Sequence, residues 1–230
     1  MLKVLSTKLL DESLTDSAHA MGIDLTCEEF IRVLPLEIDM AELMSIQYDA
    51  MVFTSSNAVR CFFDNENIEV SDYTKPIYSI SGKTKEELTD YSMEPVAIAD
   101  NALQLADKIL ADKNIRSVLH ICGNIKLDVL EKKLTASGVR YTPFTVCETL
   151  LNSILLRENY EAVMFFSPSG VDSFVMKNAL DRDTLYCCIG DTTADTLRSI
   201  NDKLTIILPI QPTPEAMLTL IKNYKFSTDI

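Results

Sequence analysis

Short apolar runs alternate with stretches of helical spacing along the whole chain. The runs Lys3–Ser6, Ala50–Thr54, Ile77–Ile80, Ser117–Ile121, Ala162–Phe166, Leu185–Ile189 and Leu204–Leu208 read as strands buried on both faces. Between them, apolar residues recur at helical intervals near 11–21, 57–64, 84–90, 101–112, 126–136, 170–180, 192–200 and 214–223. Strand–helix alternation of this kind predicts α/β architecture with parallel sheets covered by helices. Some helix ends are marked. Asp100-Asn101 and Thr213-Pro214-Glu215 put capping side chains ahead of helices, and Gly138 is a natural stop.

The pattern also repeats. Phe53-Thr54-Ser55-Ser56-Asn57-Ala58-Val59 is similar to Phe165-Phe166-Ser167-Pro168-Ser169-Gly170-Val171. A strand ending in glycine follows each: Ile77 to Gly82, and Tyr186 to Gly190. Each glycine opens a hydroxyl-bearing helix start, Lys83-Thr84-Lys85 and Asp191-Thr192-Thr193. A third pair, Asn101 to Leu105 and Glu215 to Thr219, keeps the order and nearly the same spacing. These matches predict two copies of one α/β unit, with the working site in the cleft between them. Two β-rich stretches with proline, Phe30–Ile38 and Tyr141–Thr149, suit edge or linking strands. Their presence suggests that one unit is inserted into the other.

Bulk properties narrow the function. Apolar residues are 47% and charged residues 24%, an ordinary globular balance with no disordered segment. The net charge of −13 argues against nucleic acid as a partner, which requires a basic footprint. No apolar run could span a bilayer, and Lys3 and Lys8 interrupt any signal-peptide core, so a cytoplasmic protein is expected. The six cysteines form no CxxC and the two histidines are far apart, so reduced thiols are expected and no metal site.

The turns after the strands carry the candidate chemistry. Ser55-Ser56-Asn57, Gly123-Asn124, Ser167-Pro168-Ser169-Gly170 and Gly190-Asp191-Thr192-Thr193 lie where a strand's C-terminal end meets a helix start. Ligands of parallel α/β sheets bind at that edge. Free N–H groups and small hydroxyls there suit carboxylate or phosphate groups. Simple helix capping is the alternative for any one turn. No GxGxxG, Walker A, GxSxG or HExxH motif is present.

At these residues the chain resembles the uroporphyrinogen-III synthase family. The resemblance rests on Phe165–Val171, Ile189–Ala194, Gln211–Ala216, Phe53–Val59, and Gly123 followed by Leu127, Leu130, Leu134 and Gly138. It implies two parallel-sheet α/β domains of similar topology joined by a two-stranded linker. The first domain would be 1–34 with 153–230, the inserted one 39–143, and the linker strands 35–38 and 144–152. It implies closure of hydroxymethylbilane to uroporphyrinogen III, with loss of water and inversion of ring D. No cofactor or metal is implied. The substrate would be handed over from porphobilinogen deaminase, and the protein would act as a monomer. Carried onto this sequence, the substrate-binding positions are Thr7, Lys8, Ser55, Ser56, Asn57, Thr84, Lys85, Gly123, Asn124, Ser167, Ser169, Gly170, Thr192 and Thr193.

Three positions depart from the family pattern. The tyrosine common in the second linker strand is Cys147 here, with Tyr141 on the same strand face but six residues away. In the inserted copy the threonine three places after the glycine becomes Lys85, with Thr84 one place early. The arginine usual after the first strand is Lys8, which keeps the charge and loses the bidentate fork. A polycarboxylate substrate and an acidic protein repel at long range. Binding must then rely on local donors, with Lys8, Lys83, Lys85 and Lys126 as candidate cations. A non-catalytic tetrapyrrole- or bilane-binding homologue is the alternative that Cys147 keeps open, and an unrelated small-ligand sensor is a third.

Overall fold

The computed structural model describes residues 1–227. The chain begins with β1 (Leu2–Ser6), α1 (Glu12–Ala20), β2 (Ile23–Cys27) and β3 (Ile31–Pro35). It continues with α2 (Met40–Ser45), β4 (Ala50–Phe53), α3 (Ser56–Phe63), β5 (Ile77–Ile80), α4 (Lys83–Asp90), β6 (Ala97–Ala99) and α5 (Ala102–Ala111). Next come β7 (Ser117–Gly123), α6 (Val129–Ala136) and the long β8 (Arg140–Leu151). It ends with β9 (Ala162–Phe165), α7 (Pro168–Val175), β10 (Leu185–Cys188), α8 (Asp191–Ile200), β11 (Thr205–Ile207) and α9 (Pro214–Ser227). Two units result: Met1–Arg32 with Leu150–Ile230, and Val33–Thr149. Among the described residues no helix is long and apolar enough to cross a membrane.

The first unit holds a sheet of order β11-β10-β9-β1-β2, with each strand parallel to its neighbours. Its central strands β9 and β10 are buried at every position, which their apolar residues allow. One face buries Val4, Met164 and Cys187 against Leu14 and Ala18 of α1 and Met217 and Ile221 of α9. The other buries Leu5, Phe165 and Tyr186 against Val171 and Phe174 of α7 and Ala194 and Leu197 of α8.

The second unit holds the order β3-β8-β7-β4-β5-β6, parallel from β8 to β6. One face buries Met51, Phe53, Leu119 and Ile121 against Phe62 of α3 and Leu88 of α4. The other buries Val52, Tyr78 and Val118 against Leu105 and Ile109 of α5 and Leu130 and Leu134 of α6. The two sheets share one topology once the repeat aligns β4 with β9. Then β6-β5-β4-β7-β8 corresponds in order to β11-β10-β9-β1-β2, and each covering helix pair matches too. The units are circular permutants, because the first unit's last two strands come from the start of the chain.

The strand expected at 35–38 lies earlier, at Ile31–Pro35. It runs antiparallel to β8: Leu36 N–H donates to Val146 O at 2.9 Å, and Asn152 N–H donates to Phe30 O at 2.9 Å. Rising numbers on one side therefore meet falling numbers on the other. α6 begins at Val129 instead of near 126, and α7 ends at Val175 instead of near 180. The capping expectations match the structure. Asn101 Oδ1 accepts from Gln104 N–H at 3.0 Å, and Thr213 Oγ1 accepts from Ala216 N–H at 3.2 Å. Gly138 takes a φ of +83° just past α6, where Val139 N–H returns to Leu134 O at 3.0 Å.

Candidate functional site

In the inserted unit, Thr54 leaves β4 and Ser55 caps α3 in an extended conformation, but no side chain caps the helix. The first N–H groups of α3, at Ser56, Asn57 and Ala58, keep their donors for another acceptor. In the first unit the equivalent turn is partly closed. Ser167 Oγ accepts from Gly170 N–H at 3.1 Å and lies 3.0 Å from Ser169 Oγ. Pro168 has no N–H to offer. A Cβ at Gly170 would stand 3.3 Å from Ser167 Oγ, so this tight turn favours glycine.

The two glycine-opened helices carry matching threonines. Thr193 is 3% exposed and stands four residues before buried Leu197 of α8; Thr84 is 4% exposed and stands four before buried Leu88 of α4. The one-residue shift seen in the sequence thus vanishes in the packing. Gly82 absorbs it with a φ of +68°, where Gly190 is extended. Neither threonine hydroxyl has a protein partner among the described residues, yet no buried side-chain oxygen there is unsatisfied. Each hydroxyl is therefore the part of its residue that reaches the surface. Lys85 is half-buried and Lys83 exposed beside Thr84; neither has an acidic partner among the described residues. Thr192 is exposed.

Other candidate positions are held by the scaffold. Thr7 is 3% exposed, and its hydroxyl donates to Met164 O at 2.8 Å, joining β1 to β9. Lys8 follows, exposed, with its N–H 3.3 Å from Ser6 Oγ. Asn124 is tied to β8: its Oδ1 accepts from Thr149 N–H at 2.8 Å, and its own N–H donates to Cys147 O at 3.1 Å. A Cβ on Gly123 would come within 3.2 Å of Cys147 Sγ. Lys126 is not an open cation, since its ammonium pairs with Glu131 at 2.8 Å and lies 5.5 Å from the Tyr141 ring centroid.

The linker position behaves differently from the expectation for it. Cys122 pairs with Thr145 but Gly123 pairs with Cys147, so β8 carries one extra residue there. A bulge of this kind reverses which face later side chains take. Cys147 therefore packs with Phe144 and Val146 on one face, while Tyr141 packs on the other. The two were expected on one face, and they are not. Cys147 is 2% exposed, and burial, then the neighbouring Cys61, push its thiol up to about 12. It is too weak an acid, and too enclosed, to replace a phenol at the surface.

A cavity of about 450 Å³ lies within the inserted unit beside α3, lined by Val33, Pro35, Asn57, Arg60, Cys61 and Asp64 among others. It adds Arg60, a residue the sequence reading passed over. Its guanidinium already holds Glu87 of α4 through two bonds, at 3.0 and 2.8 Å. A second cavity of about 500 Å³, near Phe174 and Tyr186, opens at the N-terminal ends of β9 and β10, away from the donor turns.

Two permuted parallel sheets, each with hydroxyl-bearing turns after matching strands, define a duplicated, doubly wound α/β protein. Residues 14–219 match the family described as uroporphyrinogen-III synthase HemD, and the chain belongs to that family. The family's reaction is the cyclising dehydration of hydroxymethylbilane to uroporphyrinogen III, a lyase step of haem biosynthesis. No curated protein sequence matches the chain. Solved structures similar in fold include these two. One is a mutant uroporphyrinogen III synthase from Thermus thermophilus, 15% identical with a TM-score of 0.73, covering 100% of this chain and 99% of that one. The other is uroporphyrinogen-III synthetase from Helicobacter pylori, 18% identical with a TM-score of 0.67, covering 97% and 100%.

Proposed function

We propose that this chain folds linear hydroxymethylbilane through the donor turns of its units and closes it to uroporphyrinogen III, releasing water. The observation that carries this reading is the pair Thr84 and Thr193: buried residues in the first turns of matching helices, with hydroxyls left for a ligand. The open N-terminus of α3 adds backbone donors, and Ser55, Ser56 and Asn57 lie there. Lys83 and Lys85 add charge at α4, Ser169, Gly170 and Thr192 line the corresponding turns of the first unit, and Lys8 follows that unit's β1. Side-arm carboxylates are the groups such donors recognise.

The reaction asks for orientation more than for a strong acid. Hydroxymethylbilane loses its hydroxyl readily, and unguided closure gives the type I isomer. The chain must hold ring D so that the inverted carbon attacks, a gain of the proximity kind. The residues fit that task. The thiol at the linker position is a very weak acid, and the inserted unit's histidine is buried and neutral at ordinary pH. The protein acts as a monomer in the cytoplasm and takes its substrate as porphobilinogen deaminase releases it. Light scattering should then give a mass near 25.8 kDa.

A coupled assay tests the reading. Porphobilinogen and its deaminase are supplied with and without this chain, the products are oxidised, and the isomers are separated. Type III should dominate only when the chain is present. A type I product in both samples would remove the synthase reading, and retained tight binding of bilane would then mark a non-catalytic homologue.

A further inference from the structure

Three side chains on adjacent strands of the inserted unit form one polar line. Tyr141 on β8, His120 on β7 and Thr54 at the end of β4 share the sheet face that α6 covers. The Tyr141 hydroxyl is 2.6 Å from His120 Nδ1, and His120 Nε2 is 2.9 Å from Thr54 Oγ1. His120 is 1% exposed, whereas Thr54 is only partly buried and opens the turn that leads into α3. Among the described residues Thr54 Oγ1 has no other hydrogen-bond partner.

A neutral imidazole has one N–H, so the line can run in only two directions. Donor strength favours one, and the separations of 2.6 Å at Nδ1 and 2.9 Å at Nε2 agree with it. A phenol is a far better donor than an alcohol. In that direction Tyr141 donates to Nδ1, the proton sits on Nε2, and Nε2–H donates to Thr54. The threonine oxygen is then already an acceptor, and its own hydrogen turns outward. Lys126 lies over the Tyr141 ring, and burial keeps His120 from charging. Linked bonds polarise one another, which strengthens the terminal donor.

We propose that Thr54 is a hydroxyl donor to a substrate carboxylate at the α3 turn, with His120 and Tyr141 as the positioning residues that hold it in the donating state. This deepens the synthase reading and rests on it. The line itself sits behind the turn and touches no substrate except through Thr54.

Two measurements on the full chain decide it. Nitrogen-15 NMR of histidine-labelled protein, with His19→Gln for assignment, should show His120 neutral and protonated on Nε2 between pH 6 and 8, about the range set by its lowered pKa. A ring protonated on Nδ1 would make Thr54 the donor to His120 and overturn the proposal, whatever the activity. In the coupled assay Thr54→Val should raise KM for hydroxymethylbilane about tenfold with kcat nearly unchanged. Thr54→Ser should restore it, and Tyr141→Phe should produce a mixture of ring tautomers with an intermediate KM. Type III product from the unaltered chain with an unchanged KM in Thr54→Val overturns only this proposal. Type I product from the unaltered chain overturns the synthase reading and the donor together.

Discussion

His120 lies inside the inserted unit's sheet, where burial first and the Lys126 ammonium second lower its pKa from 6.5 to about 4. Above 6.5 the ring is neutral whether the chain is folded or not, and its full contribution to stability is present. As pH falls below 6.5 the unfolded chain takes up a proton that the folded ring refuses until about 4. Stability is therefore lost across that window, by about 3 kcal/mol in all from this residue. Urea denaturation from pH 7 to 4 should show a steeper loss in the unaltered chain than in His120→Gln; parallel curves would contradict it. This histidine falls inside Ser117–Ile121, a run the sequence marks as a buried strand. Its partners were hidden, because Thr54 and Tyr141 are brought to it by parallel pairing and not by proximity along the chain. Cys147 was legible as a departure from the family pattern. Its burial was not, since one bulge residue in β8 decides the face.

At the scale of the element, the two serine turns look alike in sequence and differ in structure. Ser167 caps α7 through its side chain, whereas Ser55 makes no such bond to α3. Ser167→Ala should lose about 1 kcal/mol in chemical denaturation, and Ser55→Ala close to none. Equal losses would mean that α3 is capped after all. Ser55→Ala should instead weaken binding of the product. Gly82 offers a second contrast, because its φ of +68° disfavours a side chain while Gly190 is extended. Gly82→Ala should destabilise by about 1 kcal/mol more than Gly190→Ala. The helices and central strands were readable because their apolar periods are strong and glycine or capping residues mark their ends. The edge strands β2 and β6 were not. One alternates weakly and the other is three residues long, so neither gives a period to read.

The whole molecule shows what a repeat in sequence can and cannot reveal. Similar turns paired β4 with β9 and β5 with β10, which was enough to expect two related sheets. The pairing of β1 with β7 has no matching residues to announce it, so the permuted order appears only in the strand neighbours. Charge belongs to this scale as well. The chain carries −13, and its substrate is a polycarboxylate, so they repel over distance. The local donors, with Lys83 and Lys85 among them, act only over contact distances. Salt separates the two effects. The screening length is about 30 Å at 0.01 M, about 8 Å at 0.15 M and about 3 Å at 1 M. Moderate salt therefore removes the distant repulsion while the contacts at the turns survive. Measured in the coupled assay, kcat/KM should rise severalfold from about 0.01 to about 0.15 M salt and fall again toward about 1 M, as the contact pairs are screened in turn. A decline from the lowest salt onward would mean that the lysines at the turns outweigh the field of the whole chain.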